Sequence, residues 1–446
     1  MLIAHGGLGD DGDRALQRSI TSLSPRAVHS VSVRLLSDGQ EVLALAGDSS
    51  RRIASVSKLF TAATAMQRLG PNYRFRTLFY ADKVVGPSVG TLYIRGMGDP
   101  LLISEEWRLI AAALPVLEIR DGIVVDDSYF APGLELIREE GVSNPYNARN
   151  GAFATNFNTL QVVVQGRHVQ GEPQTPLTSF TVFELDPQRR GLMHVDTRQD
   201  DTRLTIHLRG PFADRPRKVR FNLGHDARTP ALYAGHLFAN LFVQGGGVLG
   251  SPEIRRDPVP ADAQLLYVHE STRTLAEISR DLFEFSNNFV ANQVFLVMGA
   301  EVEAPPAEVS KSRDLLRREL DAVLGPGAVS LAEGSGLDPR NRATASAITR
   351  YLRWLPERLP GFVGLLSPRL DGRVRVKTGT FRDEGVRAMA GYLMTPDDRP
   401  YASFALLCDS KRCPRNSFDR YERVLQDVLT RLPPPPLADA GAGDAR

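Results

Sequence analysis

Arg52-Ile53-Ala54-Ser55-Val56-Ser57-Lys58-Leu59-Phe60 sets a short polar run directly ahead of an apolar one, which continues Thr61-Ala62-Ala63-Thr64-Ala65-Met66-Gln67-Arg68-Leu69 and stops at Gly70-Pro71. Gly just past a helix accepts the left-handed cap and Pro cannot continue the ladder, so the stretch reads as a buried helix ending there. Counting back places Ser55 in its first turn and Lys58 one turn on. Residues three apart share a helix face, so hydroxyl and amine can meet, whereas Ser57, two residues from Ser55, lies on another face. The free N–H groups of a first turn and the positive end of the helix dipole favour an anion forming at Ser55. The pattern is that of a nucleophile beside a potential base, in a field that stabilises alkoxide and oxyanion.

With 446 residues the chain is too long for one ordinary core, and two or three domains are expected. An apolar share of 42% and a charged share of 24% are those of a soluble globular protein. A net charge of +2, from 54 basic and 52 acidic residues, gives no field that points to nucleic acid or a membrane surface. The basic residues are lopsided: six lysines stand against 48 arginines. Genome base composition accounts for most of that bias, yet a retained Lys can mark a site that needs an amine able to lose its proton, which guanidinium cannot do. No apolar run reaches the length of a membrane span. The start, Met1-Leu2-Ile3-Ala4-His5-Gly6-Gly7, lacks the basic and apolar regions of a signal peptide. Cys408 and Cys413 lack the neighbours of a zinc site, and both a loop-closing disulfide and two free thiols stay open.

Along the chain, 11–23 reads as an amphipathic helix, and 28–36 with 41–46 as a hairpin around Ser37-Asp38-Gly39-Gln40. From Tyr80 to about Leu265 the texture is short strands between turn residues, read as antiparallel modules, with helices at 107–117 and 230–243. Helical texture returns from Thr272 to Arg353, broken at Ser286-Asn287-Asn288 and Pro305-Pro306. Three strands, 373–380, 386–394 and 402–408, precede a helix over 417–432 and a Pro/Ala/Gly-rich tail, 433–446, expected to be disordered. Strands at both ends suggest one antiparallel sheet built from both termini around an insertion.

Two further motifs share the chemistry. Ser286-Asn287-Asn288 puts a hydroxyl and a carboxamide at a helix break, able to relay a proton and hold a peptide carbonyl; an ordinary helix N-cap has the same look. Lys377-Thr378-Gly379-Thr380 ends a strand, where Gly permits close approach of a ligand backbone and Lys with two hydroxyls makes an anion-binding edge. Each is weak alone. Ser-x-x-Lys at a helix start, Ser-x-Asn at a helix break and Lys-Thr-Gly on a strand are strong together, and they are the set of the serine penicillin-binding proteins and β-lactamases.

The 231 residues between Ser55 and Ser286 narrow this further. A long insertion after the first motif resembles the class C low-molecular-mass penicillin-binding proteins, the D-alanyl-D-alanine carboxypeptidase/endopeptidase family. The resemblance also covers Gly98-Asp99-Pro100, Val125 to Phe130, Ser286 to Ala291 and Gly334-Ser335-Gly336-Leu337. It implies an α/β penicillin-binding (serine β-lactamase-like) domain from 1–79 and 266–432, with a five-stranded antiparallel sheet flanked by helices. Residues 80–265 are then an inserted β-rich region of two domains.

The resemblance implies that Ser55 attacks the carbonyl between two D-alanines with Lys58 as base, its pKa lowered by burial and by Lys377. The N–H groups of Ser55 and Thr380 would form the oxyanion hole. Ser286 would pass the proton to the leaving amine and Asn288 would hold the acyl-side amide. Lys377, Thr378 and Thr380, with Gly379 between them, would receive the terminal carboxylate. No metal or cofactor is needed. Peptidoglycan stem peptides are the expected substrates, β-lactams the expected inhibitors and the periplasm or another extracytoplasmic space the expected location. Against that location the missing signal peptide points to an altered or misplaced start. Asn292 stands where the family often has Glu, and Asn156-Phe157-Asn158 resembles a family segment in which an Asp can recognise the side-chain amine of diaminopimelate. The alternatives are a β-lactamase or esterase on the same scaffold, which lacks a Glu-x-x-x-Asn segment between Ser286 and Lys377, and a non-catalytic cell-wall binding protein.

Overall fold

The computed structural model of the chain describes residues 2–3, 20, 23, 27–136, 148–171, 177–188, 194–200, 203–212, 215–223, 228–381 and 384–432. Most of the helix expected over 11–23, and all of the tail 433–446, lie outside the described residues. The chain divides into two compact units: Met1–Gln67, Ser279–Ser286 and Leu316–Arg446 in one, Arg68–Ile278 and Asn287–Leu315 in the other.

The first unit holds a sheet in the order Leu2–Ile3, Glu41–Leu45, His29–Leu35, Pro400–Asp409, Val386–Met394, Val374–Phe381, Ser367–Arg369, every pairing antiparallel. The two ends of the chain meet where His29–Leu35 pairs with Pro400–Asp409. The sheet has seven strands rather than the five that the resemblance implies, the two outermost being edge segments of only two and three residues. Alternation sorts the faces. Val31 and Val33 pack into a cluster with Phe404, Leu406, Tyr421, Leu425 and Val428, the last three from the helix Ser417–Arg431. Ser32, between the valines, meets Thr349 Oγ1 at 2.8 Å on the helix Ala345–Arg358. With helices on both faces the central strands are covered on both sides, and all nine residues of Val386–Met394 are buried, Arg387 included. Cys408 and Cys413 are joined in a disulfide that closes the turn after Pro400–Asp409.

The helix Ser57–Leu69 buries every residue from Ser57 to Met66. A helix apolar or small on all sides belongs in an interior, and Phe60 packs on Tyr351 with ring centroids 4.9 Å apart.

In the second unit a sheet runs Val248–Leu249, Glu118–Asp126, Ser88–Gly96, Arg76–Ala81, Gln264–Glu270. Antiparallel modules were expected, but Ser88–Gly96 and Glu118–Asp126 are parallel, with the helix Ser104–Ala113 between them in sequence. Parallel neighbours need a crossover, and the helix centred on Trp107 supplies it. Thr181–Pro187 and Leu204–Gly210, in a separate three-stranded sheet, are parallel as well. The helix Asn288–Glu303 buries all of Phe289 to Ala300.

Asp99 is 1% exposed, and burial pushes its carboxyl up to about 6 from 3.8. An acid with a raised folded pKa favours the fold while protonated, and that advantage is lost as pH rises through about 6, a change of about 3 kcal/mol. Asp99→Asn keeps an acceptor for the Leu101 N–H, 2.9 Å away. It is expected to flatten the pH dependence of unfolding between about pH 4 and 6 and to raise Tm at neutral pH by a few degrees. Denaturant unfolding across that range checks this, and an unchanged slope contradicts it.

Candidate active site

Ser55 lies in a 3-10 turn, Ala54–Val56, that leads into the helix Ser57–Leu69, rather than in the helix's own first turn. The displacement follows from Ala54, whose φ of 45° is left-handed and breaks helical continuation upstream. The functional consequence is the one expected: Lys58 Nζ stands 2.8 Å from Ser55 Oγ. Ser57 Oγ donates to the Ala54 carbonyl at 2.8 Å, so its hydroxyl is engaged in holding the turn.

Lys58 is fully buried, while Ser55 is partly exposed. Burial and then the charge of Lys377 hold the Lys58 amine well below the usual lysine range, with Glu333 opposing them. Nζ also donates to the Ser335 carbonyl at 2.6 Å. Lys377 is 1% exposed and burial pushes its pKa down to about 8. Its Nζ donates to Ser286 Oγ and to the Thr378 carbonyl, each at 2.9 Å. Thus Ser55, Lys58, Ser286 and Lys377 share one unit, in two hydrogen-bonded pairs. Ser286 sits at the helix break with a left-handed φ of 55°. Asn287 caps the next helix, its side chain accepting from Val290 N, and Asn288 is that helix's first residue, assigned to the second unit.

Lys377 to Phe381 pairs on one side with Val386 to Ala390, while Ser367–Arg369 on the other side reaches only as far as Val376. Gly379 shows why this strand carries glycine. A Cβ there would lie 2.6 Å from Ile53 O and 2.8 Å from Ser55 N, so the strand passes against the backbone of the Ser55 turn. Gly336 does the same from another side, where a Cβ would lie 2.0 Å from Ala54 O.

Two residues of this site were not singled out from the sequence. Glu333 is 1% exposed and accepts from the N–H groups of Ser335 and Gly336 at 2.8 and 2.6 Å. Asn341 donates to Glu333 Oε1 at 2.8 Å and accepts Ile53 N at its own carbonyl at 3.3 Å. An acid directly ahead of Gly334-Ser335-Gly336 was the available signal. Asn156, in the second unit, is buried; its side chain accepts from Ser104 N and donates to Ser104 Oγ, both at 2.9 Å, holding the start of the Ser104–Ala113 helix. Asn292 is buried in its helix.

A family model described as the D-Ala-D-Ala carboxypeptidase 3 (S13) family matches residues 14–358. The chain belongs to that family. Ser55, Lys58, Ser286 and Asn288 fall inside the match. A D-alanyl-D-alanine carboxypeptidase of Actinomadura sp. (strain R39) is 29% identical over 421 residues, which are 83% of this chain and 76% of that protein. Among solved structures, penicillin binding protein 4 of Haemophilus influenzae matches with a TM-score of 0.74 at 19% identity, covering 93% of this chain and 99% of that one. A predatory peptidoglycan endopeptidase of Bdellovibrio bacteriovorus matches with a TM-score of 0.55 at 13% identity, over 91% and 93% of the two chains. Family membership makes the chain a serine D,D-peptidase.

Gly379→Ala tests the close approach, with Gly364→Ala, which meets nothing within 4 Å, as control. The first is expected to lower D-alanine release from a D-alanyl-D-alanine peptide about 10²-fold by displacing the strand from Ser55. The control is expected to act as the parent protein does. Equal rates for the two variants contradict the constraint.

Proposed function

We propose that the chain hydrolyses D-alanyl-D-alanine bonds of peptidoglycan stem peptides, and the equivalent cross-link bonds, through an acyl-enzyme on Ser55. The observation that carries this reading is the buried Lys58 amine within hydrogen-bond reach of Ser55 Oγ and under the charge of Lys377. A lysine can act as base only when neutral, and burial beside a second cation is what makes it so.

Neutral Lys58 takes the Ser55 proton as Oγ bonds to the carbonyl carbon between the two D-alanines. The N–H groups of Ser55 and Thr380 hold the resulting oxyanion. The proton that Lys58 took passes by way of the Ser286 hydroxyl, itself hydrogen-bonded to Lys377, to the departing amine as the C–N bond breaks, which leaves Lys58 neutral again. Lys377, Thr378 and Thr380 receive the terminal carboxylate at the strand edge, where Gly379 lets the backbone come close. Asn288 holds the amide on the acyl side, as the family resemblance implies. Water then releases the acyl group. The same carboxylate edge takes a β-lactam, whose ring opens on Ser55. The catalytic domain in this reading is built from 1–79 and 266–432 around the insertion, and it works outside the cytoplasm, where a Cys408–Cys413 disulfide persists.

A β-lactamase needs a base that activates the deacylating water. Glu333 is the carboxylate that acts on Lys58, but both its oxygens are buried and occupied by donors, which leaves it unsuited to that task.

Labelled penicillin is expected to acylate the protein stoichiometrically, with the adduct on the peptide that contains Ser55. Ser55→Ala is expected to abolish both this label and D-alanine release from a pentapeptide, a loss of at least about 10³-fold. Labelling that survives Ser55→Ala, or rapid multiple turnover of a chromogenic cephalosporin, contradicts the reading.

A further inference from the structure

Behind the reacting pair lies a buried carboxylate that the mechanism above does not use. Glu333 Oε2 accepts from Ser335 N at 2.8 Å and Ser335 Oγ at 2.5 Å. Oε1 accepts from Gly336 N at 2.6 Å, Asn341 Nδ2 at 2.8 Å and Asp338 N at 3.3 Å. Five donors converge on a group 1% exposed, and in each of these hydrogen bonds the carboxylate accepts.

The connections run to both partners of the reaction. The loop held by Glu333 presents the Ser335 carbonyl to Lys58 Nζ at 2.6 Å, and the Gly334 carbonyl to Thr61 Oγ1 at 2.9 Å, one turn further along the helix that carries Lys58. Through Asn341 the same carboxylate reaches the Ser55 turn. The Asn341 carbonyl accepts Ile53 N, and its Nδ2 lies 3.3 Å from Ser57 Oγ, which in turn donates to Ala54 O. Gly336 packs against Ala54 O. A carbonyl can only accept, so Ser335 O must take an N–H of the amine; with Lys58 neutral, its lone pair is left for the Ser55 hydroxyl.

We propose that Glu333 is the positioning residue of acylation: it aims the Lys58 amine at Ser55 through the Ser335 carbonyl and balances the positive charge that amine acquires on taking the serine proton. This rests on the peptidase reading. The charged groups that bear on Lys58 are Lys377 and Glu333, of opposite effect. Asp338, beside Glu333, has its own partner in Arg340. A base held only by burial and Lys377 would be neutral but weak. Glu333 returns basicity to it without coming into contact with substrate.

Second-order acylation by a penicillin, followed against pH, tests this in the full-length protein with Glu333→Gln and Glu333→Asp. Gln removes the charge and turns one acceptor into a donor among donors. It is expected to lower the plateau rate about 10²-fold and to move the acidic limb to lower pH, because Lys58 then stays neutral further down the scale. Asp keeps the charge one methylene away and is expected to fall between Gln and the parent in both rate and limb. A Gln variant within about threefold of the parent overturns the proposal, and so does a slower one whose limb has not moved, since a purely structural role changes rate alone. If the Gln variant does not fold, the Asp variant decides: a limb moved toward lower pH supports the proposal and an unmoved limb overturns it. Failure of the parent protein to acylate at Ser55 overturns the peptidase reading, and this inference with it.

Discussion

Everything in the catalytic unit turns on keeping one amine buried. Lys58 has no exposed surface, and a buried ammonium without compensation is costly enough that the group gives up its proton instead. Lys377 strengthens that tendency and Glu333 restrains it. In the proposed reaction this balance is what would let the amine start neutral and hold a proton during the step. A guanidinium in either lysine position would stay charged and end the arrangement, which gives meaning to two lysines kept in a chain with 48 arginines.

Around Lys58 and Ser55 the fold also brings backbone close to the Ser55 turn. The Ser55 turn is approached by the Lys377–Phe381 strand at Gly379 and by the Glu333 loop at Gly336, both at distances that exclude a Cβ. Val374–Phe381 is paired along its whole length with Val386–Met394, every residue of which is buried. Among the described residues its outer side is paired only as far as Val376, and the proposed reaction would use the edge from Lys377 onward to hold an extended peptide.

Much of this was legible in the residues. The hairpin over 28–46, the three C-terminal strands and the final helix came from period-2 and period-3.6 patterns, and the Ser55–Lys58 pair came from spacing alone. What stayed hidden had physical reasons. The left-handed φ of Ala54, which moves Ser55 into a 3-10 turn, leaves no trace in a residue type that rarely adopts it. The parallel pairing of Ser88–Gly96 with Glu118–Asp126 depends on where the intervening helix packs, and strand periodicity does not report that. Asn341 reaches Ser57 across 284 positions, and Glu333, hydrogen-bonded only to Ser335, Gly336, Asp338 and Asn341 among the described residues, bears on Lys58 through its charge and through the fold. No local pattern encodes such a contact. Asn156 shows the converse: a family motif marks the position, yet here its side chain is taken up by Ser104.

The ionisation of Lys58 can be observed directly. With only six lysines in the chain, side-chain 13Cε resonances can be followed through a pH titration by NMR, and the signal missing in Lys58→Arg identifies the base. The expected result is that this one amine titrates far below the exposed lysines, as burial and Lys377 dictate. Titration of that signal together with the exposed lysines, near the ordinary value of 10.5, would contradict the claim that Ser55 is activated by a neutral amine.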